Sequence, residues 1–284
     1  MRPAVFAGTF YPATEPKLRA ALEEAFTGER GPGSLPLVKK TDRKVLAVIA
    51  PHAGYQYSGQ AAAWAYHAIA SSPKPDVFII LGPNHDGKET ATTKEVWETP
   101  LGPVRSDQEF LNALVAKGNL KYDDKTFQEE HSIEVQLPFL AFLYGEHVKI
   151  APVIIGNDAD LHQLALDIKE VLVDQGKKAS FIVSSDFTHH GPAYKHVRWS
   201  QETQKNIYEF DEKIIALIKQ QKPAELLDFL DKELATVCGG LPIALLLTIL
   251  KPCAVKLEQY YTSGDLVEDY KNSVSYAAIV FEEK

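Results

Sequence analysis

Five short hydrophobic runs, almost uninterrupted by polar residues, constrain this chain most: Lys44–Ala50, Asp76–Leu81, Val148–Ile155, Ala179–Ser184 and Tyr276–Phe281. A strand with one wet face alternates apolar and polar residues. A strand covered on both faces reads as one continuous run. Between these runs lie segments with helical spacing, at Glu15–Phe26, Gly59–Ala70, Asp107–Lys117, Ser132–Leu143, Asp160–Gln175, Glu202–Lys219 and Leu241–Leu250. Strands alternating with helices are the pattern of βα units around a mostly parallel sheet. The expected fold is a three-layer α/β/α arrangement with a mixed, largely parallel central sheet, formed as a single domain over residues 1–284. Lys256–Thr262 alternates more and is expected nearer a sheet edge. Asp107 and Asp160 stand at N-cap positions, where their side-chain oxygens can accept from free backbone N–H groups. The Gly/Pro/Lys-rich stretch from Gly28 to Asp42 reads as a mobile surface connection.

Composition narrows the function classes. The chain has 30 basic and 38 acidic residues, a net charge of −8, so no global basic field draws it to nucleic acid or an anionic membrane. Its longest apolar stretch, Leu241–Leu250, is too short to span a bilayer. The N-terminus lacks the apolar core of a signal peptide. With Cys238 and Cys253 as its only cysteines, it is not a disulfide scaffold. A soluble, cytoplasmic protein is expected.

Polar residues gather where three of the strands end. The first strand ends in Ala50-Pro51-His52-Ala53-Gly54-Tyr55, the second in Gly82-Pro83-Asn84-His85. The fourth leads into Ser184-Ser185-Asp186-Phe187-Thr188-His189-His190. Parallel strands put their carboxyl ends on one side of the sheet, and ligands bind in the crevice there. Pro51 and Pro83 cannot donate to a ladder, so each is expected to end its strand and present the following side chains from a loop. If residues 189 and 190 are extended, their side chains point to opposite faces, and one of the two enters the site. Asp186 fits three roles: orienting a histidine, ligating a metal, or capping the turn that follows.

His131 and Glu134, three apart, are expected to share a face at the start of a helix, which fits capping as well as metal binding. Cys238 directly precedes an apolar helix, where a helix N-terminus lowers a thiol pKa and favours the thiolate. That suits ligation or nucleophilic attack; a small buried apolar role is the alternative. Cys253 has no polar company and reads as structural. His67, His147, His162 and His196 sit in exposed-looking helical or loop contexts and are left aside as site candidates. Gly54–Gly59 (GYQYSG) leads into a helix and could hold an anion, but no G-x-G-x-x-G, Walker or G-x-S-x-G motif follows any of the strands.

Several of these segments also carry a resemblance. Ala7–Pro12 (AGTFYP), Ala50–Tyr55 (APHAGY), Leu81–His85 (LGPNH), Glu130–Glu134 (EHSIE), Ser184–His189 (SSDFTH), Val237–Gly239 (VCG) and Ser273–Ala277 (SVSYA) occur in this order. Together they closely resemble the Memo family (mediator of cell motility), whose microbial members are called AmmeMemoRadiSam system protein B. The family's fold is similar to the catalytic subunit of class III extradiol ring-cleaving dioxygenases, the LigB-like enzymes. In those relatives two histidines and a glutamate hold iron(II), and another histidine acts as acid/base. The resemblance therefore implies a metal pocket at His52, His85 and Cys238, with Cys238 standing where the glutamate is expected. It implies His189 at the acid/base position, with Asp186 nearby, and His131 completes the candidate catalytic set.

Three functions compete. The first is a metal-dependent redox protein, with iron(II) or copper, acting on a small molecule. The second is a binding module for a phosphopeptide or protein partner that kept the pocket and lost the reaction. The third is zinc-dependent hydrolysis, since a thiolate with two imidazoles also suits zinc. The microbial family name implies a radical-SAM partner.

Overall fold

The computed structural model describes residues 1–38, 44–87 and 89–284. Residues 39–42 of the expected Gly28–Asp42 connection lie outside the described residues; Glu29–Val38 forms no helix or strand. In chain order the first elements are α1 (Glu15–Thr27), β1 (Val45–Ala50), α2 (Tyr55–Ala70), β2 (Val77–Pro83), β3 (Ala91–Thr92), β4 (Val96–Trp97) and β5 (Val104–Ser106). Then come α3 (Gln108–Ala116), β6 (Lys121–Tyr122), α4 (Leu137–Tyr144), β7 (Lys149–Ile155), α5 (Leu161–Asp174), β8 (Ala179–Ser184) and β9 (His189–His190). The last are α6 (Thr203–Lys219), α7 (Pro223–Lys232), α8 (Gly240–Ile249), β10 (Ala254–Thr262), α9 (Ser263–Val267) and β11 (Ser273–Glu282).

The sheet order is β10-β11-β1-β8-β2-β7-β3-β6. The central strands β1, β8, β2 and β7 run parallel. β11 is antiparallel to both β1 and β10, which lies at the edge as its alternation predicts. The continuous runs conceal a period of two. Val48, Phe78, Ile80, Ile150 and Ile182 pack with Leu18 of α1, Tyr66 of α2 and Phe139 of α4. Their neighbours Ala47, Ile79, Leu81, Ala151 and Val183 pack on the other side against Ile168 of α5, Ile214 of α6 and Ile243 of α8. Each such side chain contributes about 1.5–3 kcal/mol on full burial. Two helical layers thus cover a mixed, mostly parallel sheet.

Local chemistry sets the boundaries. Asp107 accepts from the Phe110 N–H and Asp160 from the Gln163 N–H, so both cap as expected. α2 starts at Tyr55, four residues before the expected Gly59, because Gly54 caps it and Phe10 accepts the Tyr55 N–H at 2.8 Å. β2 runs through Pro83 instead of ending before it. The expected helix over Ser132–Leu143 forms only from Leu137, after a 3-10 turn at Glu134–Gln136. Pro138 lacks an N–H and is tolerated only in a helix's first turn, which fixes that start. No helix among the described residues is long and apolar enough to cross a membrane.

Candidate metal centre

Because β1, β8 and β2 are adjacent and parallel, the loops after them open at one edge of the sheet. These loops carry His52, Asp186, His189 and His85. Cys238 arrives on the segment before α8, which is held tightly to the end of β8. Ser185 Oγ accepts the Gly239 N–H at 3.0 Å, and a Cβ on Gly239 would lie 2.4 Å from Ser185 Cβ. Gly82 admits a similar approach, since its Cβ would lie 2.5 Å from Ser132 Oγ.

One donor atom from each of His52, His85 and Cys238 lies within 4.8 Å of the other two. His52 is 1 % exposed, with Nδ1 2.9 Å from Ser184 Oγ. Burial holds its pKa well below the usual histidine range, helped by His131, His85 and His189. The imidazole is therefore neutral, as a metal ligand must be.

His85 stands nearer solvent, with 29 % of its side chain accessible. Its Nδ1 lies 3.0 Å from both Glu130 oxygens, and its backbone N–H donates to Glu130 Oε2 at 2.9 Å. A carboxylate can only accept here, so Nδ1 carries a proton, and Nε2 is the nitrogen that offers a lone pair when the ring is neutral. Burial acts to lower the His85 pKa, but Glu130 more than offsets it and the net shift is upward. Burial likewise acts to raise Glu130, yet His85 and the Ser132 N–H bring its pKa down to about 2.

His189 is fixed by backbone. Its Nδ1 lies 3.0 Å from the Phe187 carbonyl and 3.1 Å from the Thr236 carbonyl. Carbonyls only accept, so Nδ1 again carries a proton, and Nε2 lies 3.8 Å from Cys238 Sγ. Thr236 Oγ1 accepts the His189 N–H and donates to its carbonyl, at 2.8 and 2.9 Å. Of the 189–190 pair, His189 faces the site, while His190 is buried and packs against Trp199.

Asp186 is 3 % exposed and receives the backbone N–H groups of His52 at 2.9 Å and Ala53 at 3.3 Å. Its carboxylate thus braces the loop that presents His52, a contact distinct from the expected cap of the turn that follows Asp186. Its Oδ2 lies 3.9 Å from His52 Nε2, and burial raises its pKa. His131 stacks on His85 at 4.6 Å and 16°, meets His52 edge-on at 5.2 Å, and rests on Phe10 at 4.6 Å. Burial, then the neighbouring His85, lowers its pKa to about 4.

Two expectations are corrected. The Cys238 thiol pKa is not lowered by its place before α8; burial, followed by the carboxylates of Asp186 and Glu130, pushes it far upward. Glu134 does not share a site with His131. It is fully buried and ion-paired with Arg2, and also accepts from the Phe6 N–H and the Tyr11 hydroxyl, each at 2.7 Å. Glu134 opens a 3-10 turn, and the regular helix begins only at Leu137, so the helical spacing expected of the pair does not apply. Both cysteines are free thiols, and Cys253 is buried.

Sequence reasoning missed two residues. Glu130, 45 residues from His85, orients it. Arg2 holds the 127–134 segment through the carbonyls of Phe127 and Glu130 as well as through Glu134. His85, Glu130 and His131 also bring donor atoms within 4.8 Å of one another. Glu130 is already engaged by three N–H donors from His85 and Ser132, so it acts as the partner of His85. None of His67, His147, His162 and His196 belongs to either donor group.

Comparison with known proteins identifies the family. The Memo-like protein family matches residues 2–280. The chain is 40 % identical over 290 residues to a MEMO1 family protein of Methanopyrus kandleri, covering 98 % of each chain. It is 37 % identical over 289 residues to one of Pyrobaculum aerophilum, covering 99 % of this chain and 98 % of the relative. Among solved structures, an uncharacterized protein of Escherichia coli K12 superposes with a TM-score of 0.54 at 15 % identity, over 84 % of this chain and 99 % of the other; that likeness concerns the fold alone. With the family matched from end to end and its motifs gathered at one edge of the sheet, this chain belongs to the Memo family.

Proposed function

We propose that the chain is a metal-dependent redox protein whose ion is held by His52, His85 and Cys238. The observation that carries this is the convergence of one donor atom from each within 4.8 Å. The donor set fits the group: His85 has its Nδ1 proton engaged by Glu130, and His52 is kept neutral by its surroundings. A bound iron(II) or copper ion would supply a one-electron centre with open positions for a small molecule.

The chain's own groups have defined tasks in this reading. Cys238 must lose its proton to ligate, and His189 Nε2, 3.8 Å from the sulfur, is a base within reach to receive it. His189 then stands as acid/base toward a substrate, and Thr236 and Phe187 keep its ring aimed. Asp186 holds the His52 loop, and its carboxylate balances charge gathered at the centre. His131, neutral above about pH 4, closes one side of the site against Phe10. The family's similarity to ring-cleaving dioxygenases supports redox chemistry. The thiolate in place of their glutamate is the reason copper stands beside iron here.

Anaerobic purification followed by metal analysis tests the proposal. Near-stoichiometric iron or copper is expected in the native chain, with loss in Cys238→Ala and His85→Ala. Absence of tight metal binding in all three ends the metal reading and leaves a binding module, to be examined by phosphopeptide titration. Zinc occupancy without any redox response in air would redirect it to hydrolysis.

A further inference from the structure

His52 differs from His85 and His189 in one respect: its Nδ1 faces a hydroxyl, which can donate or accept. The hydrogen bonds around that hydroxyl decide which it does. Gln136 Nε2 lies 3.0 Å from the Pro51 carbonyl, which only accepts, and the Tyr66 hydroxyl lies 2.7 Å from Gln136 Oε1. The amide orientation is therefore fixed, and Nε2 also donates to Ser184 Oγ at 2.9 Å. Ser184 Oγ is 2.6 Å from the Ser132 carbonyl, another pure acceptor, and its single proton goes there. Only a lone pair remains for His52, so Nδ1 must carry the ring proton.

We propose that Ser184, held by Gln136 and Ser132, is a positioning residue that fixes His52 as the Nδ1–H tautomer and turns a bare Nε2 toward His85 and Cys238. Its importance for metal binding rests on the reading above; the tautomer itself does not. Every member of the network is at most 1 % exposed: His52, Ser132, Gln136 and Ser184, with Tyr66 behind them. Water does not compete, and a misdirected proton would leave a buried polar atom unpaired. Three chemically different acceptors, a committed serine, a carboxylate and a pair of backbone carbonyls, thus hold a proton on Nδ1 of His52, His85 and His189.

Long-range proton–nitrogen correlation on 15N-histidine protein, metal-free at neutral pH, reads the tautomer directly, with His52 assigned by signal loss in His52→Asn. The native chain should show a protonated Nδ1 and a bare Nε2 at His52. Ser184→Ala should lose that preference and weaken cobalt(II) affinity about 10- to 100-fold, the usual effect of removing a ligand's outer partner. Ser184→Thr, which keeps the hydroxyl, should restore both. An Nε2–H tautomer in the native chain, or a tautomer unchanged in Ser184→Ala, overturns the proposal. Should the expected tautomers appear while no chain binds metal, the positioning role stands and only the metal reading fails.

Discussion

Glu130 grips His85 twice, taking its backbone N–H at 2.9 Å and its ring Nδ1–H at 3.0 Å. Carboxylate support of this kind raises a ligand's basicity and fixes its ring. Glu130→Gln should therefore lower cobalt(II) or copper affinity about 10- to 100-fold while the fold persists. Competition against a chelator of known affinity checks this, and unchanged affinity would show that Glu130 has no such role.

The Arg2–Glu134 pair tests how the chain's start serves the site. Both side chains are almost wholly buried, at 4 % and 0 % exposure. Arg2→Met strands the Glu134 carboxylate and should cost roughly 3–5 kcal/mol, read from urea unfolding. Arg2→Met combined with Glu134→Gln should recover part of that loss. If the double variant is as unstable as the single, the stranded charge is not the cause.

Acid should weaken the metal-free protein through His131. Its folded pKa is about 4, against the ordinary value near 6.5, because burial and His85 disfavour the imidazolium. Between those values the unfolded chain binds more protons than the folded one. The stability this group contributes is thus full above pH 6.5 and is lost as pH falls toward 4, up to about 3 kcal/mol. His52 acts in the same direction. His131→Asn should flatten part of the slope in stability against pH, measured by urea midpoints from pH 7.5 to 4. An unchanged slope would assign the acid sensitivity elsewhere.

Gly239→Ala probes the seam between β8 and α8. The added Cβ meets Ser185 Cβ at 2.4 Å, so backbone must move, at a cost of roughly 1–3 kcal/mol. Because the neighbouring residue is Cys238, metal affinity should fall alongside the urea midpoint. Gly102→Ala has open space around it but a positive φ, and so controls for backbone strain without disturbing the pocket.

What the chain reveals before folding follows from the kind of contact involved. Runs such as Val77–Leu81 announce themselves because both faces are covered, and with parallel strands that alone brings His52, His85 and His189 together. Cys238 became legible through the family motif; its spacing carried no comparable signal. Glu130 was hidden because its tie to His85 depends on how a 3-10 turn docks against β2. Arg2 was hidden because a charged residue at the start of a chain has the same local sequence signature whether buried or exposed. α7 went unread because Leu226 is its one fully buried side chain, and strands of two residues, such as β6, are too short to show a period.

The strand order also bears on the timing of synthesis. β1 is complete by residue 50, yet its neighbour β8 ends at Ser184, and the His52 N–H waits for a carboxylate 134 positions later. Cys238 is made later still. A ribosome-bound chain therefore exposes its histidines long before they can meet, and a stray ion captured then would encounter separate imidazoles instead of a pocket. Whatever binds at His52, His85 and Cys238 together can do so only after Cys238 has been made.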